Sequence, residues 1–288
     1  NPIEMIGRAP RALASSLYQT LITDSAWSKA RSIMGYMTST GEPLMVMLSG
    51  QPFIDTRLSF NSYLPKNTNP LIAKKLVNHW IGRLKDNPEL HDKVEFGIAI
   101  TTYSFDIDKK INNLIGDALS ATEKGEFRRL HVQHTKKLIG GNGNGSINCA
   151  LSKVDSLSKK YSKVDFVAQK DIFNLYSMVD DCIQLGTIPF SILARHGFIA
   201  KTILLSFEQE SILTSAEINE IQSGVHTVAS ELVDDMHSLH LGRISNSDFM
   251  GKYGHLRPGT YDIKSHRYDQ MSSISTGCIP NHQEENVK

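Results

Sequence analysis

Hydrophobic positions recur at helical spacing from the start of the chain. Leu13, Leu17 and Leu21 fall every fourth residue and predict one apolar stripe along a helix. A second helix is expected from a cap at Thr23-Asp24 to a stop at Gly35. The period then changes. Residues 43–50 (PLMVMLSG) form a short apolar run between turn residues, which predicts a buried strand. In residues 51–64, Ile54, Thr56, Leu58 and Phe60 alternate with Asp55, Arg57 and Ser59, again strand-like. Asn69-Pro70 is a cap followed by a first-turn proline, and it opens a helix with Ile72, Leu76 and Trp80 on one stripe. Val94, Phe96, Ile98 and Ile100 alternate and predict a third strand.

Beyond residue 106 nearly everything reads as helix. Segments 108–119 and 122–139 come first, the second ending in the glycine run GGNGNG at 140–145. A Ser/Lys-rich helix or linker follows at 147–163, then a helix from Asp171 to Gly186 and a long one opened by Pro189 through Phe207. A T-x-x-E capping box from Thr214 to Glu217 starts a further long helix to about His240. The expected fold is mainly α (α+β): a bundle-like helical domain with a few strands in its N-terminal third. Residues 1–105 form the mixed part, 106–271 the helical part of the same domain, and 272–288 a flexible tail.

Composition narrows the function classes. Lys+Arg 31 against Asp+Glu 30 leaves a net charge of +1 over 288 residues, which makes no electrostatic case for nucleic acid or an anionic membrane. Cys149, Cys182 and Cys278 lie far apart, without CxxC spacing, and predict neither a disulfide framework nor a zinc site. The longest apolar run, near residues 199–207, is interrupted by Lys201 and shorter than the roughly 20 residues a bilayer needs. With no signal peptide seen, a cytoplasmic location is expected. The start at Asn1, without methionine, points to a processed or excised fragment.

Candidate chemistry is sparse. A phosphate loop needs Lys and Ser/Thr after its last glycine, whereas GGNGNG is followed by Ser146-Ile147 and reads as a helix connection. His131/His134 and His237/His240 each share a helix side but lack a complete ligand set, so both pairs are expected on solvated faces and no metal is assigned. Asp180-Asp181 likewise reads as a solvated or salt-bridged face. The densest segment is 252–268, KYGHLRPGTYDIKSHRY. There Gly254, Pro258 and Gly259 fix an irregular backbone among His255, Arg257, Asp262, Lys264, His266 and Arg267. Such a loop suits an anionic ligand, with Arg257 turned into a pocket, or it is pinned structurally by an Arg–Asp pair.

YGHLRPGTYDI resembles the Tyr-Gly-His-Arg-Gly-Pro-Gly-Glu-type signature of phosphoenolpyruvate-utilising phosphotransferases, the group of phosphoenolpyruvate synthase, pyruvate phosphate dikinase and rifampicin phosphotransferase. NPIEMIGRAPRALASSLYQTLI and GQPFIDTRLSFNSYLP are similar to the central part of phosphoenolpyruvate synthase-like proteins. Leu256 interrupts the usual His-Arg pair, and Thr260-Tyr261 precede Asp262 where relatives carry Glu. The resemblance implies a central acceptor-binding or domain-coupling region. Its partners are an ATP-grasp domain, a phosphohistidine domain and a small-molecule acceptor, with ATP and Mg used by the parent protein and no cofactor in this chain. It implies catalytic roles for His255, Arg257 and Asp262, and substrate contacts for Arg57, Asp55, Tyr253, Lys264 and Arg267. The competing expectation is a non-catalytic helical scaffold or small-ligand-binding module.

Overall fold

The computed structural model describes residues 2–39, 41–140, 145–162, 172–257 and 266–271. The fold is mainly α, with a two-stranded antiparallel sheet among the described residues. The chain divides into two compact units, Asn1–Thr214 and Ser215–Lys288.

In the first unit, Met45–Leu48 pairs with Gln51–Ile54 as a hairpin, Met45 opposite Ile54, and the tight turn places Gly50 at φ +77°. The expected strand over 51–64 stops there. Asp55 accepts hydrogen bonds from the backbone N–H groups of Arg57 (2.8 Å) and Leu58 (2.9 Å) and so caps a helix, Thr56–Asn61. Arg57 and Asp55 therefore do not share a strand face. Arg57 is exposed and donates to Asn78 Oδ1 at 2.8 Å. The third expected strand is also absent: Val94–Gly97 is a helical turn, and Ile98, Ala99 and Ile100 are all buried in succession. Alternation in a short apolar run does not separate a strand from a buried turn.

Asn69 caps Pro70–Asp86 as expected, and Ile72, Leu76 and Trp80 are buried on its inner side. They pack with Phe60, Ile98, Ile107, Ile115 and Phe127 in the main core. Ser120 and Glu123 form a capping box that opens Ala121–Ile139. A second core joins Ala26–Ile33, Ser146–Tyr161 and Ile188–Gln209. Leu13 and Leu17, by contrast, are exposed.

Ile188–Gln209 is preceded by a π turn, Cys182–Thr187. The cause is Pro189, which cannot donate to Leu185 and whose ring would press on that carbonyl, so the turn widens. The combined run Asn174–Gln209 is long and apolar enough to cross a bilayer by length and composition, contrary to the sequence expectation. Its buried residues, however, include Arg195 and His196, and it packs on Ser146–Tyr161 and Ala26–Ile33.

In the second unit the long helix expected to reach His240 is two helices, Ser215–Ser223 and Val228–His240. Ser223 Oγ folds back on the Asn219 carbonyl (2.7 Å), and Thr227 with Ser230 caps the new start. Asn246–Tyr253 follows, and Met236, Phe249 and Tyr253 make a small core. The middle of the glycine run (141–144), residues 163–171 and the tail 272–288 with Cys278 lie outside the described residues.

Candidate functional site

The flanks of segment 252–268 are held by contacts within the second unit. Tyr253 is buried, and its hydroxyl donates to Asp235 Oδ2 at 2.7 Å. Lys252 pairs with Glu231 (2.6 Å) and Asp235 (2.8 Å). The backbone N–H of Tyr268 donates to the Leu256 carbonyl and that of Asp269 to the Gly254 carbonyl. A Cβ on Gly254 would stand 2.4 Å from the Met250 carbonyl oxygen and 3.0 Å from Asp269 Cβ, so this glycine is required by close packing. Arg267 forks onto Asp269 at 3.0 and 2.7 Å. His255 and Arg257 are exposed, which corrects the expectation that Arg257 faces a pocket interior. Asp262 and Lys264 lie outside the described residues.

The concentration of buried charge is elsewhere, in the first unit. Arg195, 1% exposed, sits in the apolar helix Ile188–Gln209. Its Nε donates to the Tyr36 hydroxyl (3.0 Å), its Nη2 to the Thr101 carbonyl (2.8 Å), and its Nη1 forms an ion pair with Glu95. Arg31, whose side chain keeps 16% exposure, approaches the other oxygen of Glu95 at 4.0 Å. Both guanidinium groups lie over Tyr36 (5.5 Å for Arg31, 5.3 Å for Arg195) and Tyr63 (5.6 and 5.7 Å), within cation–π range. Two cations thus share one carboxylate and two aromatic faces.

Electrostatics follow from this crowding. Burial, then repulsion from Arg195, pulls the Arg31 pKa down. Arg195 is held up instead, because Tyr36 and Glu95 outweigh its desolvation. Burial, with Glu95 adding to it, pushes the Tyr63 hydroxyl up to about 12.

Beside the centre, His134 is buried and bonds the Met34 carbonyl through Nε2 at 2.8 Å. His131 is wholly buried against Phe127, ring centroids 4.3 Å apart, and neither ring nitrogen has a partner among the described residues. Burial, followed by His134 and Arg195, lowers its pKa to about 3, so it is a neutral core residue and not part of a solvated face. His237 and His240 are exposed, as expected. Asp181 receives Lys160 and the Tyr161 hydroxyl, the salt-bridged face foreseen for that residue. No group of three or more His, Cys, Asp or Glu side chains suited to a metal occurs among the described residues.

Two cavities flank the arginine pair. One, about 380 Å³, is lined in part by Glu95, Thr101, Asp106, Lys109, Lys110 and Thr202. Its lysines are already paired, Lys110 with Asp106 (3.0 Å) and Lys109 with Glu210 (2.8 Å). The other, about 190 Å³, is lined by both arginines together with Ile22, Trp27, Phe190 and Phe198, and by Thr187, Ser191 and Ala194 at its helical wall.

Sequence reasoning missed Arg31, Tyr36, Tyr63, Glu95 and Arg195. One usable signal was Arg195 itself, a permanent charge inside an apolar helical run. Comparison with family models, curated proteins and solved structures finds no match to this chain.

Proposed function

We propose that this chain is the central acceptor-binding or domain-coupling region of a phosphoenolpyruvate synthase-like phosphotransferase. It would work with a phosphohistidine carried on another domain of the parent protein. The observation that carries the reading is the buried Arg31–Arg195 pair held by a single carboxylate. Positive charge fixed in a low-dielectric site is what a transferring phosphoryl group or its anionic acceptor requires. Two of the three stretches that carry the resemblance meet at this pair: residues 1–22 end at Ile22 in the cavity wall, and Tyr63 of residues 50–65 lies under both guanidinium groups. Exposed apolar side chains at Leu13, Leu17, Leu48 and Phe53 support domain coupling, since an attached neighbour would cover them. For the second unit, the internally paired Lys252, Tyr253 and Arg267 favour a bracing role over a catalytic one.

ATP and Mg belong, in this reading, to the nucleotide domain of the parent. The isolated chain is therefore expected to show no ATPase activity and no phosphoryl transfer from phosphoenolpyruvate. In the parent protein, Arg31→Lys keeps the charge but loses the planar fork. It is expected to lower transfer to the acceptor by about a hundredfold, roughly 3 kcal/mol, while ATP-dependent labelling of the histidine continues. Turnover by the isolated chain, or a parent protein that forms no acid-labile phosphohistidine, would remove the proposal.

A further inference from the structure

The smaller cavity has an uncompensated character that the ion pairs around it do not remove. Arg31 and Arg195 contribute two positive charges and Glu95 one negative, so 2 − 1 leaves an excess of one positive charge beside an apolar space. Trp27 and Arg31 stand four residues apart on one side of the helix Ala26–Ile33, and both line this cavity. Trp27 Nε1 and Arg31 Nη1 are both buried with no hydrogen-bond partner among the described residues. A buried donor without a partner costs on the order of 1–3 kcal/mol, so two on one side need a reason.

The walls define what would satisfy them. Ile22, Trp27, Phe190 and Phe198 present apolar and aromatic surface, and Phe190, 69% exposed, stands at the open side. About 190 Å³ is below the roughly 300 Å³ at which drug-sized ligands begin, which excludes a nucleotide. A bare phosphate carries about −1.5 to −2 near neutral pH. It would overshoot the single excess charge and set its oxygens against Phe190 and Phe198. A monoanionic carboxylate with a flat apolar body matches charge, size and wall together, and its two oxygens suit the guanidinium fork.

We propose that this cavity is a binding site for a small carboxylic acid with a planar or branched apolar body, held by Arg31 with Trp27 and stacked between Phe190 and Phe198. The lowered Arg31 pKa agrees, because an added anion would relieve the repulsion from Arg195 that contributes to it. The inference stands on the first unit alone. Carboxylate binding can fail while phosphohistidine transfer succeeds, and the reverse.

The test is calorimetric titration of the full 288-residue chain with benzoate, benzamide and inorganic phosphate in turn. Benzoate is expected to bind with Kd on the order of 0.1 mM, and neutral benzamide and phosphate each at least about tenfold more weakly. Phe190→Glu places a like charge at the exposed mouth without disturbing the core, and is expected to weaken benzoate by about tenfold or more. Trp27→Phe keeps the ring wall but removes the indole N–H, and is expected to weaken it by a smaller factor. No benzoate binding, equal binding of benzamide, tighter binding of phosphate, or benzoate affinity unchanged in Phe190→Glu would each overturn the proposal.

Discussion

Glu95→Gln is expected to reduce the free energy of unfolding by about 3–5 kcal/mol, the cost of leaving buried charge without its partner. Glu95 is the only carboxylate among the described residues that is paired with Arg31 and Arg195, so its neutral form leaves two guanidinium groups facing each other over Tyr36 and Tyr63. Arg31→Gln should cost much less, because it leaves a balanced Arg195–Glu95 pair that retains the bonds to Tyr36 and Thr101. The order is the informative part. Removing the anion should be worse than removing the cation with the looser contact, although both substitutions delete one charge from the same cluster. Urea unfolding of the two variants followed by circular dichroism measures it. Equal losses would mean that Arg31 is as firmly committed to Glu95 as Arg195 is, and that no excess charge exists.

His131→Leu should stabilise the chain in acid. The unfolded histidine titrates near 6.5, whereas the buried one titrates at about 3. Between those values the unfolded state holds a proton that the native state refuses, so unfolding takes up protons and native stability falls as pH drops below about 6.5. At pH 4.5 this single group should cost about 2–3 kcal/mol, a loss that is complete only near pH 3. Leucine removes that cost together with two unpartnered ring nitrogens. His134 and His196, whose pKa values burial also lowers, act in the same direction and remain in the variant. The melting temperatures of the two proteins should therefore separate on acidification from pH 7.5 to 4.5, with the variant higher. Parallel curves would show that His131 is hydrated or protonated in the native state.

Local signals were legible where one short stretch decides the outcome. Asn69-Pro70 starts a helix because capping and proline geometry agree there without help from tertiary contacts. Asp55 shows the limit: read as an exposed position of a strand, it is the cap that ends the strand, and only the bonds to Arg57 and Leu58 distinguish the two. The candidate site was not legible as a unit. Arg31, Glu95 and Arg195 come from distant parts of the chain, and each alone is an ordinary charged residue. Their meaning arises from burial together, which sequence spacing does not encode. The segment that looked chemically richest, 252–268, owes part of that richness to residues such as Tyr253 and Arg267 that brace it.

The π turn at Cys182–Thr187 also governs how this part of the chain can change in length. A π turn holds one residue more than the α turn it replaces, and each residue advances a helix by about 100°. A related chain with one residue fewer there, and without Pro189, could form an unbroken α-helix, at the price of turning everything before it by about that angle. Ile172–Asp181 would then present a different side to its surroundings, while Arg195 kept its place opposite Glu95. The wide turn thus acts as a phase adjuster between two helical segments with separate packing demands. Divergent relatives are best aligned on Arg195 and the residues after it, with a one-residue gap allowed between 182 and 187.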